Sequence, residues 1–155
     1  MNTIKVRDIE IGAGAPKIIV PIVGVTKEDI LNEAKTFDSI PVDVVEWRVD
    51  WFEHVFEFDK VEDVLKELRT VLGNIPLLLT FRTKKEGGEK AIDTKDYKDL
   101  NLRAAKTGYV DFIDVEIFTG DDVVKEIIDG AHAVGVRVIA SNHDFFKTPA
   151  KSDII

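Results

Sequence analysis

The chain has 155 residues, 45% hydrophobic and 32% charged, with 29 acidic against 21 basic side chains for a net charge of −8. That apolar fraction excludes wholesale disorder and the length predicts a single domain, while no stretch reaches the ~18 uninterrupted apolar residues of a membrane span. The absence of cysteine removes disulfides, thiolate nucleophiles and cysteine-ligated metal, and the acidic balance disfavours nucleic acid and anionic lipid as partners.

The first eight residues carry Lys5, Arg7 and Asp8 where a secretion signal has its apolar region, so the cytoplasm is the expected location. Residues 4–7 and 8–11, followed by Gly12-Ala13-Gly14, suggest a short hairpin. Apolar, β-branched runs then predict strands at 18–23, 42–49, 76–81, 112–117 and 136–140. The first and third are almost continuously apolar, as expected of parallel strands buried on both faces. Between them lie segments of helical period: Thr26 with Asp29 reads as a capped start before Ile30, Leu31 and Ala34. Val61, Val64, Leu65 and Leu68 form the next apolar face, then Leu100, Leu102 and Ala105, then Val123, Val124, Ile127, Ile128 and Ala131. Gly73, Gly108 and Gly135 stand where helices end.

Repeated β-α order argues for an α/β fold with an all-parallel sheet. Two architectures fit. A doubly wound five-stranded domain would be complete at this length, whereas a (β/α)₈ TIM barrel needs roughly 250 residues, so this chain would hold about the first five units with the hairpin capping one end.

The polar residues shift the balance toward the barrel. Every strand after the first ends in charge or histidine: Glu46-Trp47-Arg48-Val49-Asp50, Thr80-Phe81-Arg82-Thr83, Asp114-Val115-Glu116 and Ser141-Asn142-His143-Asp144. Side chains alternate along a strand, so Glu46, Arg48 and Asp50 share one face. In a barrel such inward faces converge at the C-terminal mouth, where barrel enzymes keep their sites. Glu46 with Arg48 also reads as a structural ion pair, and Asp114 and Glu116 read as structural carboxylates, since without a nearby histidine they are weak evidence for metal. Arg82 directly follows an apolar strand, which places it at a buried rim where an anion or hydroxyl ligand would neutralise it. His143 is the best candidate acid or base, because imidazole exchanges protons at neutral pH. His54 and His132 read as surface residues. The loop from Thr83 to Lys90 lacks P-loop spacing and reads as a mobile lid or turn.

Taken in order, Glu46-Trp47-Arg48-Val49-Asp50, Thr80-Phe81-Arg82-Thr83 with Glu86-Gly87-Gly88-Glu89, Phe118-Thr119-Gly120-Asp121-Asp122, and Ser141-Asn142-His143-Asp144-Phe145 with Lys147-Thr148-Pro149 resemble the type I 3-dehydroquinate dehydratases. The resemblance implies a TIM barrel, usually dimeric, that converts 3-dehydroquinate to 3-dehydroshikimate in the shikimate pathway with neither metal nor nucleotide cofactor. A lysine forms an imine with the ketone, and histidine then moves the α-proton and helps expel water. By the same resemblance His143 is the general acid/base, Glu86 the carboxylate that assists it, and Glu46, Arg48 and Arg82 hold the substrate. The family's imine-forming lysine comes from the sixth strand, which 155 residues do not reach. The chain is therefore expected to be a truncated form that is inactive or nearly so alone, prone to oligomerise, with Lys147 a poor substitute nucleophile.

Overall fold

The computed structural model describes residues 3–154. Strands β1 (Ile4–Val6) and β2 (Ile9–Ile11) form an antiparallel hairpin. Five further strands, β3 (Ile19–Ile22), β4 (Val44–Arg48), β5 (Leu77–Thr80), β6 (Phe112–Glu116) and β7 (Arg137–Ser141), build one parallel sheet. Helices α1 (Lys27–Lys35), α2 (Phe58–Leu72), α3 (Thr94–Lys106) and α4 (Asp121–Ala133) cross between successive strands, and a short α5 (Lys151–Ile154) follows.

The strands lie in strictly sequential order, β3-β4-β5-β6-β7. A doubly wound sheet reverses direction at a switch point, and this one does not. Because parallel crossovers are right-handed, unreversed order puts every crossover helix on the same face. The core agrees: Val45, Trp47, Leu77, Leu79, Ile113 and Val115 pack against Ile30, Leu65, Leu68, Leu100, Ile127 and Ala131 of the helices. The opposite face is the inner wall of a barrel-type sheet.

That inner wall is graded along its strands. Val44, Leu78 and Phe112 form a small second core under Val6, Ile9 and Ile11 of the hairpin, with Ile139 at its side. One period further on, the same face carries Glu46, Asp114 and Ser141 rather than hydrocarbon.

Two expectations need correction. The strand at 18–23 is not buried on both faces: Ile19 is 45% and Val23 38% exposed, because β3 pairs only with β4 and its inner face has no second layer. Strand β5, flanked by β4 and β6, is buried throughout. On α3 the buried face is Tyr97, Leu100, Asn101, Ala104 and Ala105, with Leu102 turned to the neighbouring helix. There Leu102 lies against Gly130, where an added Cβ would fall 2.4 Å from its Cδ2. The capped start at Thr26 forms as expected: its hydroxyl accepts from the Asp29 N–H at 3.2 Å, and the Asp29 carboxylate accepts from the Thr26 N–H.

Candidate active site

The polar residues gather at the C-terminal ends of the sheet strands. Strand β4 stops at Arg48, and a 3₁₀ turn over Val49–Trp51 carries Asp50 back into the protein. Arg48 donates from Nε and Nη2 to the two carboxylate oxygens of Asp50, both at 2.8 Å. The expected Glu46–Arg48 ion pair is therefore not the contact that forms. Asp50 is nearer in the turn and offers both oxygens to the guanidinium fork, which raises the Arg48 pKa through those hydrogen bonds, with Glu46 contributing only through space. The Glu46 carboxylate makes no hydrogen bond or ion pair among the described residues, and Arg48 keeps Nη1 without a protein partner.

Arg82, one residue past Phe81 and only 7% exposed, is neutralised from within rather than awaiting an anion. Its Nη1 donates to Glu116 at 2.9 Å and to the Ser141 hydroxyl at 3.0 Å, and its Nη2 stands 3.0 Å from Asp114. Burial on its own disfavours the charged guanidinium, but the attraction of Asp114 and then Glu116 outweighs it and the net shift is upward. Asp114 and Glu116 are thus the structural counter-ions of Arg82. Ser141 links them further, donating to Asp114 at 2.8 Å.

Glu116 also accepts from the backbone N–H and hydroxyl of Thr83, at 2.9 and 2.7 Å, which anchors the start of the loop carrying Glu86. Far from a free lid, that loop is held at both ends: Lys84 N–H donates to the Lys90 carbonyl, and Lys90 Nζ donates to the carbonyls of Asp50 and Phe52 at 2.7 and 3.0 Å. Gly88 passes so close to Arg82 that an added Cβ would fall 1.8 Å from its carbonyl oxygen, so only glycine fits.

The loop delivers Glu86 to His143. Glu86 Oε2 accepts from the backbone N–H of His143 at 2.9 Å and lies 3.0 Å from its Nδ1. The carboxylate side chain is 10% exposed and the imidazole 41%. In the neutral ring this partner selects the tautomer protonated on Nδ1, so the Nε2 lone pair is the one free to take a proton. Glu86 also stands 3.7 Å from Arg82 Nη1, which joins the histidine pair to the arginine cluster.

A cavity of about 330 Å³ adjoins this pair, lined among others by Thr83, Glu86, Tyr97, Glu116, Asn142 and His143. Thr94 and Tyr97 line it from the start of α3, and the inner-wall residues Glu46, Arg48 and Arg82 do not line it. The structure therefore links Arg82 and His143 through Glu86, joins Arg48 through Asp50, and leaves Glu46 without a hydrogen bond or ion pair among the described residues. Lys147 is exposed and does not line the cavity. His54 and His132 stand apart, His132 exposed on α4 and His54 paired with Glu57 at 2.7 Å.

Two contributors escaped the sequence reading. Tyr97 donates its hydroxyl proton to the Asp114 carbonyl at 3.3 Å and accepts from the Glu116 N–H at 3.1 Å, and burial pushes its phenol pKa up. Its position three, four and seven residues before Leu100, Asn101 and Ala104 was the available signal. Asp50 was legible as a charge but not as a buried acceptor.

No helix among the described residues is long and apolar enough to cross a membrane. The family model for type I 3-dehydroquinase matches residues 18–155. The 3-dehydroquinate dehydratase of Clostridium botulinum (strain Eklund 17B / Type B) is 55% identical over 152 residues, covering 98% of this chain and 60% of that protein. The corresponding protein of Clostridioides difficile (strain 630) is 51% identical with the same coverage, 98% and 60%. Among solved structures, a type I 3-dehydroquinate dehydratase from C. difficile with covalently modified comenic acid superposes with a TM-score of 0.96 at 50% identity, over 99% of this chain and 60% of that one. The Enterococcus faecalis enzyme gives a TM-score of 0.92 at 42% identity, over 97% of this chain and 63% of that one. The chain thus spans about 60% of the length of the curated relatives it matches. With matching motifs, sequential barrel-type sheet and family model in agreement, the chain belongs to the type I 3-dehydroquinase family.

Proposed function

We propose that this chain forms, as one domain, the first five β/α units of a barrel that dehydrates 3-dehydroquinate to 3-dehydroshikimate, and that it supplies the acid/base part of the site. The observation that carries the reading is the Glu86–His143 pair, with its free Nε2, at the strand ends beside Arg48 and Arg82. In the reaction, an amine condenses with the substrate ketone and expels water, giving an iminium that makes the neighbouring C–H acidic. The resemblance assigns that amine to a lysine on a sixth strand, outside these 155 residues. His143 Nε2 takes the proton, and the C–H electron pair flows toward the iminium nitrogen. The resulting enamine returns the pair to form the C=C bond as the β-hydroxyl leaves with a proton from His143. Water then hydrolyses the product imine and frees the amine.

Glu86 stabilises the imidazolium between the two proton transfers. Arg82, already balanced by Asp114 and Glu116, suits a neutral hydroxyl better than a carboxylate. Among the described residues Arg48 Nη1 and the Glu46 carboxylate have no protein partner, which leaves a donor and an acceptor for one ligand. The reading carries with it assembly with further copies of the same chain and a cytoplasmic location.

The test is to complete the barrel with the C-terminal units of the C. difficile relative and follow the ultraviolet absorbance of the conjugated product. Replacing His143 by Ala is expected to lower turnover by about 10²- to 10⁴-fold. A His143→Ala assembly that turns over at the parent rate would sink the proposal.

A further inference from the structure

Asp50 is not among the residues assigned above to the substrate or the proton. Its carboxylate is completely buried, at 0% exposure, a placement that is unfavourable unless the charge is paired and hydrogen-bonded. Four donors from three segments meet that need. Arg48 supplies two at 2.8 Å, the backbone N–H of Arg82 one at 3.3 Å, and the backbone N–H of Glu89 one at 3.1 Å. Lys90 Nζ clamps the same residue through its carbonyl at 2.7 Å. The amides and Lys90 hold Asp50 in place, and Asp50 in turn holds Arg48.

Glu46 shares the inner face of β4 with Arg48, two residues away, and Arg48 feels its charge. Without a stronger competitor the flexible guanidinium would close on that carboxylate, and donor and acceptor would satisfy each other. Asp50 occupies Nε and Nη2, and Glu46 is left without a hydrogen bond or ion pair among the described residues.

We propose that Asp50 is a positioning residue for substrate binding, keeping Arg48 and Glu46 apart so that both meet the ligand. This rests on the reading of the site given above. Pre-ordering Arg48 also means that its rotamer freedom is lost on folding rather than on binding.

The experiment is a cycle in the completed barrel with Asp50→Asn, Arg48→Met and the double variant. Asn keeps the shape but presents one acceptor and an N–H₂ to the fork, so KM is expected to rise about tenfold, with kcat within about threefold of the parent. In the Arg48→Met background the same change is expected to move KM by less than about twofold, because its target is gone. A tenfold rise on top of Arg48→Met, or an unchanged KM in Asp50→Asn alone, overturns the inference. Should Asp50→Asn fail to fold, Asp50→Ser, which is smaller and leaves the Arg48 guanidinium free to close on Glu46, takes its place in the cycle with the same expected and overturning results. His143→Ala in the same assembly keeps the two claims separate: loss of rate there with additive KM effects sinks the role of Asp50 alone, and an unchanged rate sinks the underlying reading.

Discussion

The inner wall of the sheet holds two regions that use the same strands for opposite purposes. Toward the strand starts, Val44, Leu78 and Phe112 are packed under the hairpin and carry no polar function. Toward the strand ends, Arg82, Asp114 and Glu116 are also buried but are satisfied by one another, by the hydroxyls of Ser141 and Thr83, and by backbone groups, with Glu86 beside Arg82. A step of two residues, Phe112 to Asp114, separates hydrocarbon from charge on one face. Apolar packing and buried polar groups are segregated along the strand axis.

Phe112→Ala tests that segregation with the largest expected effect. The ring is 3% exposed, and its loss is expected to lower unfolding free energy by about 3–5 kcal/mol in denaturant melts. The ring proton resonances of His143 should stay in place, since none of the contacts holding it involves the hairpin end. A shift in those resonances would mean that the two regions are coupled.

Tyr97 probes the polar region from its helix side. Tyr97→Phe leaves the buried N–H of Glu116 without its acceptor, and a loss of about 1–3 kcal/mol is expected. The parent phenol also has a pH signature. Burial raises its pKa, so the unfolded chain releases the proton first, and stability is expected to fall as pH climbs above the ordinary phenol value of 10.0. Alkaline melts of parent and variant should therefore converge as pH rises, and parallel curves would show that this phenol does not control the alkaline limb.

The two regions were unequally legible in the sequence. Apolar runs announced the strands, and residues 4–7 and 8–11 before Gly12-Ala13-Gly14 announced the hairpin, because burial and local geometry act on adjacent residues. Arg82 and His143 stood out because charge at a strand end is a local pattern too. The partners were harder to read. Arg48 choosing Asp50 over Glu46 depends on a 3₁₀ turn that folds the chain back, and Tyr97 bonds backbone groups of a strand 17 and 19 residues away. Such choices are made by tertiary geometry. The exposure of Ile19 likewise follows from the strand's place in the sheet, which its apolar composition does not encode.

The smallest effect on stability, and the sharpest test of how the site loops meet, lies at Gly87. This residue has φ of +87° in the left-handed region, and an added Cβ would lie 2.5 Å from Phe145 Cε2 and 2.7 Å from Cζ. Gly87→Ala is therefore expected to cost about 1–2 kcal/mol in backbone strain, with little more from the ring, which is 71% exposed and free to move aside. Moving it has a consequence beyond stability, because Phe145 is two residues from His143 on the same loop. The His143 N–H bonds Glu86, the neighbour of Gly87, so the ring-on-glycine contact and the carboxylate–histidine contact set a single register between two loops. The His143 amide is expected to exchange with solvent several-fold faster in Gly87→Ala, while the Phe112 amide, in the packed region, is slowed or hastened only by the global stability change. Equal changes at both amides would show that the loops are not registered through this contact and that His143 is held by Glu86 alone.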